Sequence, residues 1–202
     1  MNTIRLKGVL RDIQDSHKIN DIEFSKAHLI VPKDNGQEDI LNIRFKKYSN
    51  FYKEDQEITL SGNLRSYSSR LESGKNKVEL YVFTYFDQPD LDKNDQEYTN
   101  FLELDGRICK IDELRTTKTG HKNIHFIVAN NIIIGEGTKK LNSYIPCVAW
   151  GSTAEKMSNM SVNTKVSLTG RLHSRSYKKY FPDGTFEFRV AHEVEITSVE
   201  SL

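Results

Sequence analysis

Hydrophobic and polar residues alternate along most of this chain, a pattern typical of β-strands with one buried face. In the second half, five runs alternate or are apolar: residues 101–111, 122–130, 144–150, 165–177 and 185–196. In the first half the corresponding runs are residues 4–10, 24–31, 40–45, 57–67 and 77–86. A short helical stretch follows the third run of each set, YSNFYKE (48–54) and STAEKMSNM (152–160), and Ser152 is the predicted N-cap of the second.

The two sets of runs resemble each other, which indicates an internal repeat. Three pairs of segments share a pattern in the same order: LKGVLRDI with LDGRICKI, AHLIVP with HFIVAN, and ITLSGNLRSYS with VSLTGRLHSRSY. Five strands with a short helix between strands 3 and 4 are the layout of an OB-fold barrel. The sequence therefore predicts an all-β protein of two tandem five-stranded OB-fold barrels, residues 1–86 and 100–202, joined by an acidic linker at 87–99.

Charge is unevenly distributed along the 202 residues. The formal net charge is +1, but residues 1–86 carry +2, residues 87–99 carry −4 and residues 100–202 carry +3. The linker thus masks two mildly basic domains. No apolar run is long enough to span a bilayer, and MNTIRLKG lacks the apolar region of a signal peptide, so we expect a cytoplasmic protein that does not contact membranes.

Two segments of the second copy place aromatic and basic side chains away from the expected core. In SYIPCVAWG (143–151), Ile145, Cys147 and Ala149 share one face, and the larger Tyr144, Val148 and Trp150 share the other. The smaller set suits a barrel core, although Trp150 could instead cap the core or lie in a subunit interface. In the next strand the predicted outer face carries Arg171, His173, Arg175 and Tyr177, followed by Lys178 and Lys179, and the first hairpin of this copy adds Arg115, Lys118 and Lys122.

The first copy has a weaker version of this pattern. Arg44, Arg65 and Tyr67 are predicted to point outward, whereas Phe45, which aligns with Trp150, is predicted to lie in the core. Its first hairpin, residues 11–23, carries more acidic than basic side chains. The stripe formed by Tyr81, Phe83 and Tyr85 fits packing against another domain as well as it fits contact with bases.

These segments resemble the bacterial single-stranded DNA-binding protein (SSB) family. The second copy is similar to it through GRI, ELRTTKTG, FIVAN, YIPCVAWGSTAE, VSLTGRL, SRSY and VAHEVEI, in order across nearly all of residues 100–202. The first copy, with FSKAHLIVP, ILNIRF, ITLSGNLRSYS and KVELYVF, resembles the N-terminal half of two-domain SSB-like proteins of low-GC Gram-positive bacteria.

The resemblance implies sequence-independent binding of single-stranded DNA in replication, recombination or repair, and assembly into units of four OB folds, here a homodimer. It implies that Tyr144, Trp150 and Tyr177 stack on bases, which suits any sequence because every base has a π-face. We expect phosphate contacts from Arg171, Arg175, Lys178, Arg115, Lys118 and Lys122, and weaker contacts from Arg65, Tyr67 and Arg44 in the first copy. Family members usually end in an acidic tip that recruits repair proteins, whereas this sequence ends in VEITSVESL, so we expect no recruitment through such a tip, and replication and repair proteins stay open as partners.

Other function classes have little support in the sequence. The six histidines lack metal-ligand spacing, no nucleophile motif or phosphate-binding loop is present, and GEG at 135–137 lacks a strand-to-helix context, so we expect no enzyme activity, metal or cofactor. Cys109 and Cys147 are predicted to be buried thiols. The alternative to DNA binding is an OB-fold adaptor for replication restart or a mobile element, which would use its aromatic faces for a protein partner. Single-stranded RNA would satisfy the same stacking chemistry.

Overall fold

The computed structural model describes residues 1–47, 52–70, 74, 76–84, 99–134 and 139–202. The first half has five strands: β1 (Asn2–Ile19), β2 (Ile22–Pro32), β3 (Glu38–Lys46), β4 (Glu57–Arg70) and β5 (Asn76–Thr84). The second half has six strands and a helix: β6 (Asn100–Ile111), β7 (Arg115–Thr116), β8 (Lys122–Ile134), β9 (Lys139–Trp150), α1 (Gly151–Ser158), β10 (Lys165–Tyr180) and β11 (Phe186–Ser201). Each predicted run overlaps one of these strands, and the all-β prediction is confirmed.

Each half closes into a barrel. In the first half, β1 pairs with β2 and β4, and β3 and β5 complete the ring, with β3 and β5 parallel and the other pairs antiparallel. In the second half, β6, β8, β9, β11 and β10 repeat this order, and β9 and β11 are the parallel pair. The short β7 extends the second ring beside β8. The predicted linker, residues 87–99, lies outside the described residues except for Thr99.

The helix α1 plugs one end of the second barrel with Ala154 and Met157, both buried. It begins at Gly151, and Trp150 is its N-cap, so the prediction of Ser152 as N-cap is wrong. The reason is local geometry: Trp150 is still extended, and Gly151 turns the chain with a φ of +55°, a left-handed value that favours glycine. In the first half, residues 48–51 of the predicted helical insert lie outside the described residues, and 52–54 are not helical. Of the helices in the described residues, none has the length and apolar character needed to cross a bilayer.

The inward-facing side chains of both barrels form one connected hydrophobic core. Phe45 lies in it, as predicted, and so does Cys147. Burial raises the pKa of the Cys147 thiol, and the nearby Glu193 adds to this. Cys109 is exposed, so the prediction of two buried thiols is wrong for this residue. Cys109 directly follows the buried Ile108, so the alternation of β6 itself places it on the outer face, where it is the extra residue of a β-bulge in the pairing with β8.

The two barrels are related by a local two-fold axis. Asn2 and Leu64 exchange two hydrogen bonds, of 2.8 and 2.9 Å, and Asn100 and Leu172 repeat both at 2.7 and 3.0 Å. Asn2 therefore corresponds to Asn100. Along the antiparallel pairing of β1 with β6, Ile4 lies opposite Leu102, which is its own counterpart by this correspondence. The axis passes through this residue pair. The pairing of β1 with β6 joins the two barrels into one hydrogen-bonded sheet.

Close packing explains why ITLSGNL and VSLTGRL share a glycine, Gly62 in the first barrel and Gly170 in the second. A Cβ atom at Gly62 would lie 2.4 Å from the carbonyl oxygen of Phe83, and one at Gly170 would lie 2.3 Å from that of Glu195. Both distances are far inside van der Waals contact. Each glycine thus allows β4 or β10 to cross closely over its hairpin partner, so the motif repeats because the same crossing repeats.

Two matching contacts hold the barrels against each other. The backbone N–H of Tyr144 donates to Oγ of Ser66 at 2.8 Å, and the backbone N–H of Ile40 donates to Oγ of Ser174 at 2.8 Å. The two contacts differ in one position: Ser66 N–H donates to the Ser143 hydroxyl, whereas Ser174 N–H donates to the carboxylate of Asp39. By this symmetry Ile40 corresponds to Tyr144.

Candidate nucleic-acid interface

The outer face of β9 exposes two aromatic rings. Tyr144 is 53% exposed and Trp150 is 43% exposed, whereas Val148 between them is buried. Ile145, Cys147 and Ala149 face the core, as the alternation predicts. Both rings therefore stand outside the barrel core, where a flat ligand can reach them.

The first hairpin of the second barrel lies beside Trp150, because Asn123 of β8 is directly opposite Trp150 in the sheet. Arg115, Lys118 and Lys122 are all exposed on this hairpin. Lys122 Nζ contacts Glu155 Oε1 of α1 at 2.5 Å. The structure thus brings the three cations predicted from RTTKTGHK to the Trp150 end of β9.

The outer face of β10 carries the predicted arginines, but each has a carboxylate partner on β11. Arg171 donates from Nε and Nη2 to Oε2 of Glu195, at 3.1 and 2.9 Å. Arg175 donates from Nε to Oε1 of Glu193 at 3.3 Å. Sequence reasoning missed both glutamates. Their alternation in HEVEI was the available signal, but only the strand register shows which cations they face.

His173 is predicted to share this outer face but binds Asp39 of the first barrel instead. Its Nδ1 lies 3.0 Å from Asp39 Oδ1, and Lys33 Nζ lies 2.9 Å from the same oxygen. Burial alone raises the pKa of Asp39, but hydrogen bonds from His173, Ser174 and Lys33 outweigh it and lower the pKa to about 2. This cluster of Asp39, Lys33, His173 and Ser174, termed the Asp39 latch below, fixes the start of β3 against β10.

Beyond the latch, β10 and β11 project as a two-stranded arm, residues 175–190. One side of the arm exposes three rings that sequence reasoning did not single out: Tyr180, Phe186 and Phe188, the last 70% exposed. Lys178 Nζ lies 4.6 Å from the centroid of Phe186 and 5.4 Å from that of Phe188. On the other side, the guanidinium of Arg175 lies 5.7 Å from the ring of Tyr177. Aromatic and basic groups are therefore mixed on both sides of the arm, and the alternation in TFEFRV was the signal for its rings.

The first barrel arranges its aromatic and basic groups differently. The guanidinium of Arg44 lies 4.1 Å from the ring of Tyr81 and 5.9 Å from that of Tyr67, and its Nη2 pairs with Glu79 at 2.9 Å. Tyr67 is exposed. Only part of this cluster is thus open to a ligand.

Arg65 departs from its predicted outward position. It is only 7% exposed, and its guanidinium lies 4.1 Å from the ring of Phe83, which is itself buried. The structure therefore corrects the expectation that Arg65 stands in solvent: it packs on an aromatic neighbour. Phe83 packs on Arg65 and Phe24 of its own barrel, whereas its sequence had left open packing against another domain or contact with bases. Tyr85 lies outside the described residues.

The alignment of Phe45 with Trp150 is also corrected. β3 and β9 occupy the same place in their barrels, and Ile43 and Cys147 pair with the equivalent residues Val82 and Val194. Counting along each strand, Lys46 corresponds to Trp150. Because Ile40 corresponds to Tyr144, the first barrel has no aromatic ring at either of these positions.

Within the described ranges, no group of three or more His, Cys, Asp or Glu side chains is arranged to hold a metal ion. The chemistry of the surface is instead that of exposed rings and cations. This combination suits a ligand with flat faces and negative charges.

Comparison with known proteins identifies similar chains. A family model described as the single-strand binding protein family matches residues 99–201. Over 88 residues the chain is 35% identical to a single-stranded DNA-binding protein of Clostridium tetani (strain Massachusetts / E88), covering 43% of this chain and 59% of that relative. The chain thus matches less than two thirds of the relative's length.

Two solved structures share the whole fold. The wild-type single-stranded DNA binding protein from Thermus aquaticus superposes with a TM-score of 0.70 at 19% identity, covering 100% of this chain and 93% of that one. A deletion mutant of the same protein gives a TM-score of 0.70 at 18% identity, with coverages of 100% and 94%. At these identities the likeness establishes the fold alone.

Proposed function

The chain belongs to the single-strand binding protein family, and from this we propose that it binds single-stranded DNA irrespective of base sequence. Unpaired bases stack on its exposed rings, and its cations accompany the phosphates. Binding of this kind covers and protects exposed strands in replication, recombination or repair. No bond is made or broken, so the function is binding and not catalysis.

The observation that carries the proposal is the surface of the second barrel. Its exposed rings lie outside the core and are interleaved with cations along β9, the first hairpin and the arm. Tyr144 and Trp150 are six residues apart, roughly 20 Å at the rise of a strand. That spacing leaves room for more than one unstacked base, and each stacking contact is worth about 1–3 kcal/mol.

The proposed contacts divide between the barrels. Bases stack on Tyr144, Trp150 and Tyr177, and we add the arm rings Tyr180, Phe186 and Phe188. Phosphates meet Arg171, Arg175, Lys178, Arg115, Lys118 and Lys122. The first barrel contributes the weaker Arg44 and Tyr67, and Arg65 is left out because it is buried.

The proposed assembly is a homodimer, which would bring four barrels together as the family resemblance implies. Light scattering on the free protein tests it, with twice the chain mass of 23.3 kDa as the expected result. A mass of one chain would contradict this part of the proposal and leave DNA binding intact, since each chain carries its own interface.

The direct test of binding uses the single tryptophan. Adding oligo(dT) should quench Trp150 fluorescence, and a few hundred millimolar salt should reverse the quenching because phosphate contacts weaken with salt. In an anisotropy assay with labelled oligo(dT), Trp150→Ala and Tyr144→Ala should each weaken binding by roughly 5-fold to 150-fold, the equivalent of one lost stacking contact.

Val162→Ala is the matched control, because Val162 is an exposed apolar side chain in the turn after α1, outside the proposed interface. It should leave the affinity unchanged. Absence of quenching at every oligonucleotide length, together with no shift in anisotropy, would refute DNA binding and favour the adaptor. Tighter binding of oligo(U) than of oligo(dT) would instead identify RNA as the ligand.

A further inference from the structure

Two glutamates of β11 lie within the proposed phosphate-binding surface. In the register of β10 with β11, Glu195 is opposite Arg171 and Glu193 is opposite His173. Glu195 accepts two hydrogen bonds from Arg171, and Glu193 accepts one from Arg175 and lies 3.7 Å from Nδ1 of His125. Both arginines on this face of β10 therefore already have a carboxylate beside them.

The arginines remain open to solvent despite these partners. Arg171 and Arg175 are exposed over about half of their side chains, whereas the two glutamates are mostly covered. A guanidinium has five N–H donors, and Arg171 uses two of them on Glu195. A phosphate can thus reach the free edge of the guanidinium, but it would then meet a carboxylate of the same charge close by.

The fold does not require acidic residues at these positions. Val82 of the first barrel corresponds to Val194 of the second, because each lies opposite an equivalent leucine, Leu64 or Leu172. The first barrel consequently has Tyr81 in the place of Glu193 and Phe83 in the place of Glu195. Ion pairs whose arginine remains about half exposed to solvent, as in both pairs here, also add little to stability. The carboxylates therefore call for a role other than holding the barrel together.

We propose that Glu193 and Glu195 compete with DNA phosphates for Arg171 and Arg175, and so set the affinity and salt dependence of the interface. This inference rests on the proposed function. In the free protein the carboxylates hold the guanidinium groups in place, and an arriving strand must share or displace them. Since the charges on this face nearly cancel, the strand releases few counterions there, and the salt dependence of binding comes mainly from the other proposed cations.

The test removes the negative charges and keeps the side-chain shapes. Glu193→Gln and Glu195→Gln should each tighten binding of labelled oligo(dT) by roughly 3-fold to 10-fold at low salt, as expected when a like charge is removed from a phosphate site. Each should also steepen the plot of log K against log salt by about 0.7, the increment for one additional phosphate contact on a single strand. A residue with a structural role alone would leave this slope unchanged.

Glu200→Gln is the matched control, because Glu200 is exposed near the end of the same strand, well away from both arginines. It removes the same charge from the protein and should change affinity by less than either test variant. The double variant Arg171→Ala with Glu195→Gln should not show the tighter oligo(dT) binding of Glu195→Gln alone, since it has no Arg171 guanidinium for the phosphate to bind.

The two proposals fail in different ways. If the unaltered chain does not bind oligo(dT), the proposed function fails and this inference fails with it. If the unaltered chain binds but the two glutamine variants match Glu200→Gln in affinity and slope, competition by Glu193 and Glu195 is refuted and DNA binding stands. Thermal unfolding of each variant checks that a weakened variant is folded, and a folded variant that binds less tightly than the unaltered chain also refutes the competition.

Discussion

Replacing Asp39 with Asn tests how the two barrels are held together. The Asp39 carboxylate is almost fully buried and accepts hydrogen bonds or ion-pair contacts from Lys33, His173 and Ser174. The amide of Asn can still accept from the Ser174 backbone, but it cannot balance the charge of Lys33. Asp39→Asn therefore removes the charge from the latch and keeps its shape.

The size of the effect follows from the pKa. The pKa of Asp39 falls from 3.8 to about 2 on folding, and each pKa unit corresponds to about 1.4 kcal/mol. Ionised Asp39 thus contributes about 2 kcal/mol to the free energy of unfolding at neutral pH. Because a carboxyl group with a lowered pKa stabilises only when ionised, this contribution is complete above about pH 5, declines from about pH 4 and is lost near pH 2.

Urea unfolding at a series of pH values measures this contribution. At pH 7 the Asp39→Asn protein should unfold with a free energy about 2–3 kcal/mol lower than the unaltered chain. The difference should shrink between about pH 4 and pH 2, where the native carboxyl group becomes protonated. Other carboxyl groups titrate in both proteins, so they cancel in the difference.

Asp34→Asn serves as the control, because Asp34 is exposed in the loop before β3. It should change the free energy of unfolding by no more than about 0.5 kcal/mol, the usual range for surface substitutions. A difference between the Asp39→Asn protein and the unaltered chain that stays constant from pH 7 to pH 3, or that is no larger than the control, would show that the ionised latch does not stabilise the pairing of the barrels.

Three further predictions concern the close approach of β10 and β11 at Gly170, the two thiols and the buried Arg65. Gly170→Ala should lower the free energy of unfolding by about 1–3 kcal/mol, because its Cβ would meet a carbonyl oxygen, and thermal unfolding measures the loss. A thiol reagent such as DTNB should label Cys109 in the native protein and Cys147 only after unfolding, since burial shields Cys147 and raises its pKa. Rapid labelling of both thiols in the native protein would contradict the burial of Cys147. Arg65→Ala should reduce stability and leave oligo(dT) affinity nearly unchanged, whereas Arg175→Ala should weaken binding; equal losses of affinity would disprove the distinction.

The strands were predictable because their cause is local. Alternation of apolar and polar residues marks one buried face, and the alternation in segments such as YIPCVAW survives in the barrel. The outward position of Tyr144 and Trp150 follows from the same alternation. The β-bulge in β6 shows the limit of this reasoning, because the extra residue at Cys109 reverses the faces beyond it, so that Ile111 packs against the core.

Side-chain contacts between residues far apart in the sequence could not be predicted from the sequence. The partners of Arg171 and Arg175 depend on the register of β10 with β11, and the burial of Arg65 depends on the neighbouring Phe83. The alignment of the repeats went wrong for a related reason. Loops of unequal length separate the strands of the two halves, so an alignment that fits one strand is out of step in the next, as for Phe45 and Trp150.

The local two-fold axis at Ile4 and Leu102 has a consequence for the direction of bound DNA. Rotation by half a turn about such an axis reverses the sense in which equivalent strands run, so the two barrels present the same architecture with opposite orientations. A nucleic acid running straight across both would meet one of them 5′ to 3′ and the other 3′ to 5′. It can approach both in the same sense only by bending back on itself between them, which relates the length of oligonucleotide that one chain accommodates to the geometry of that bend.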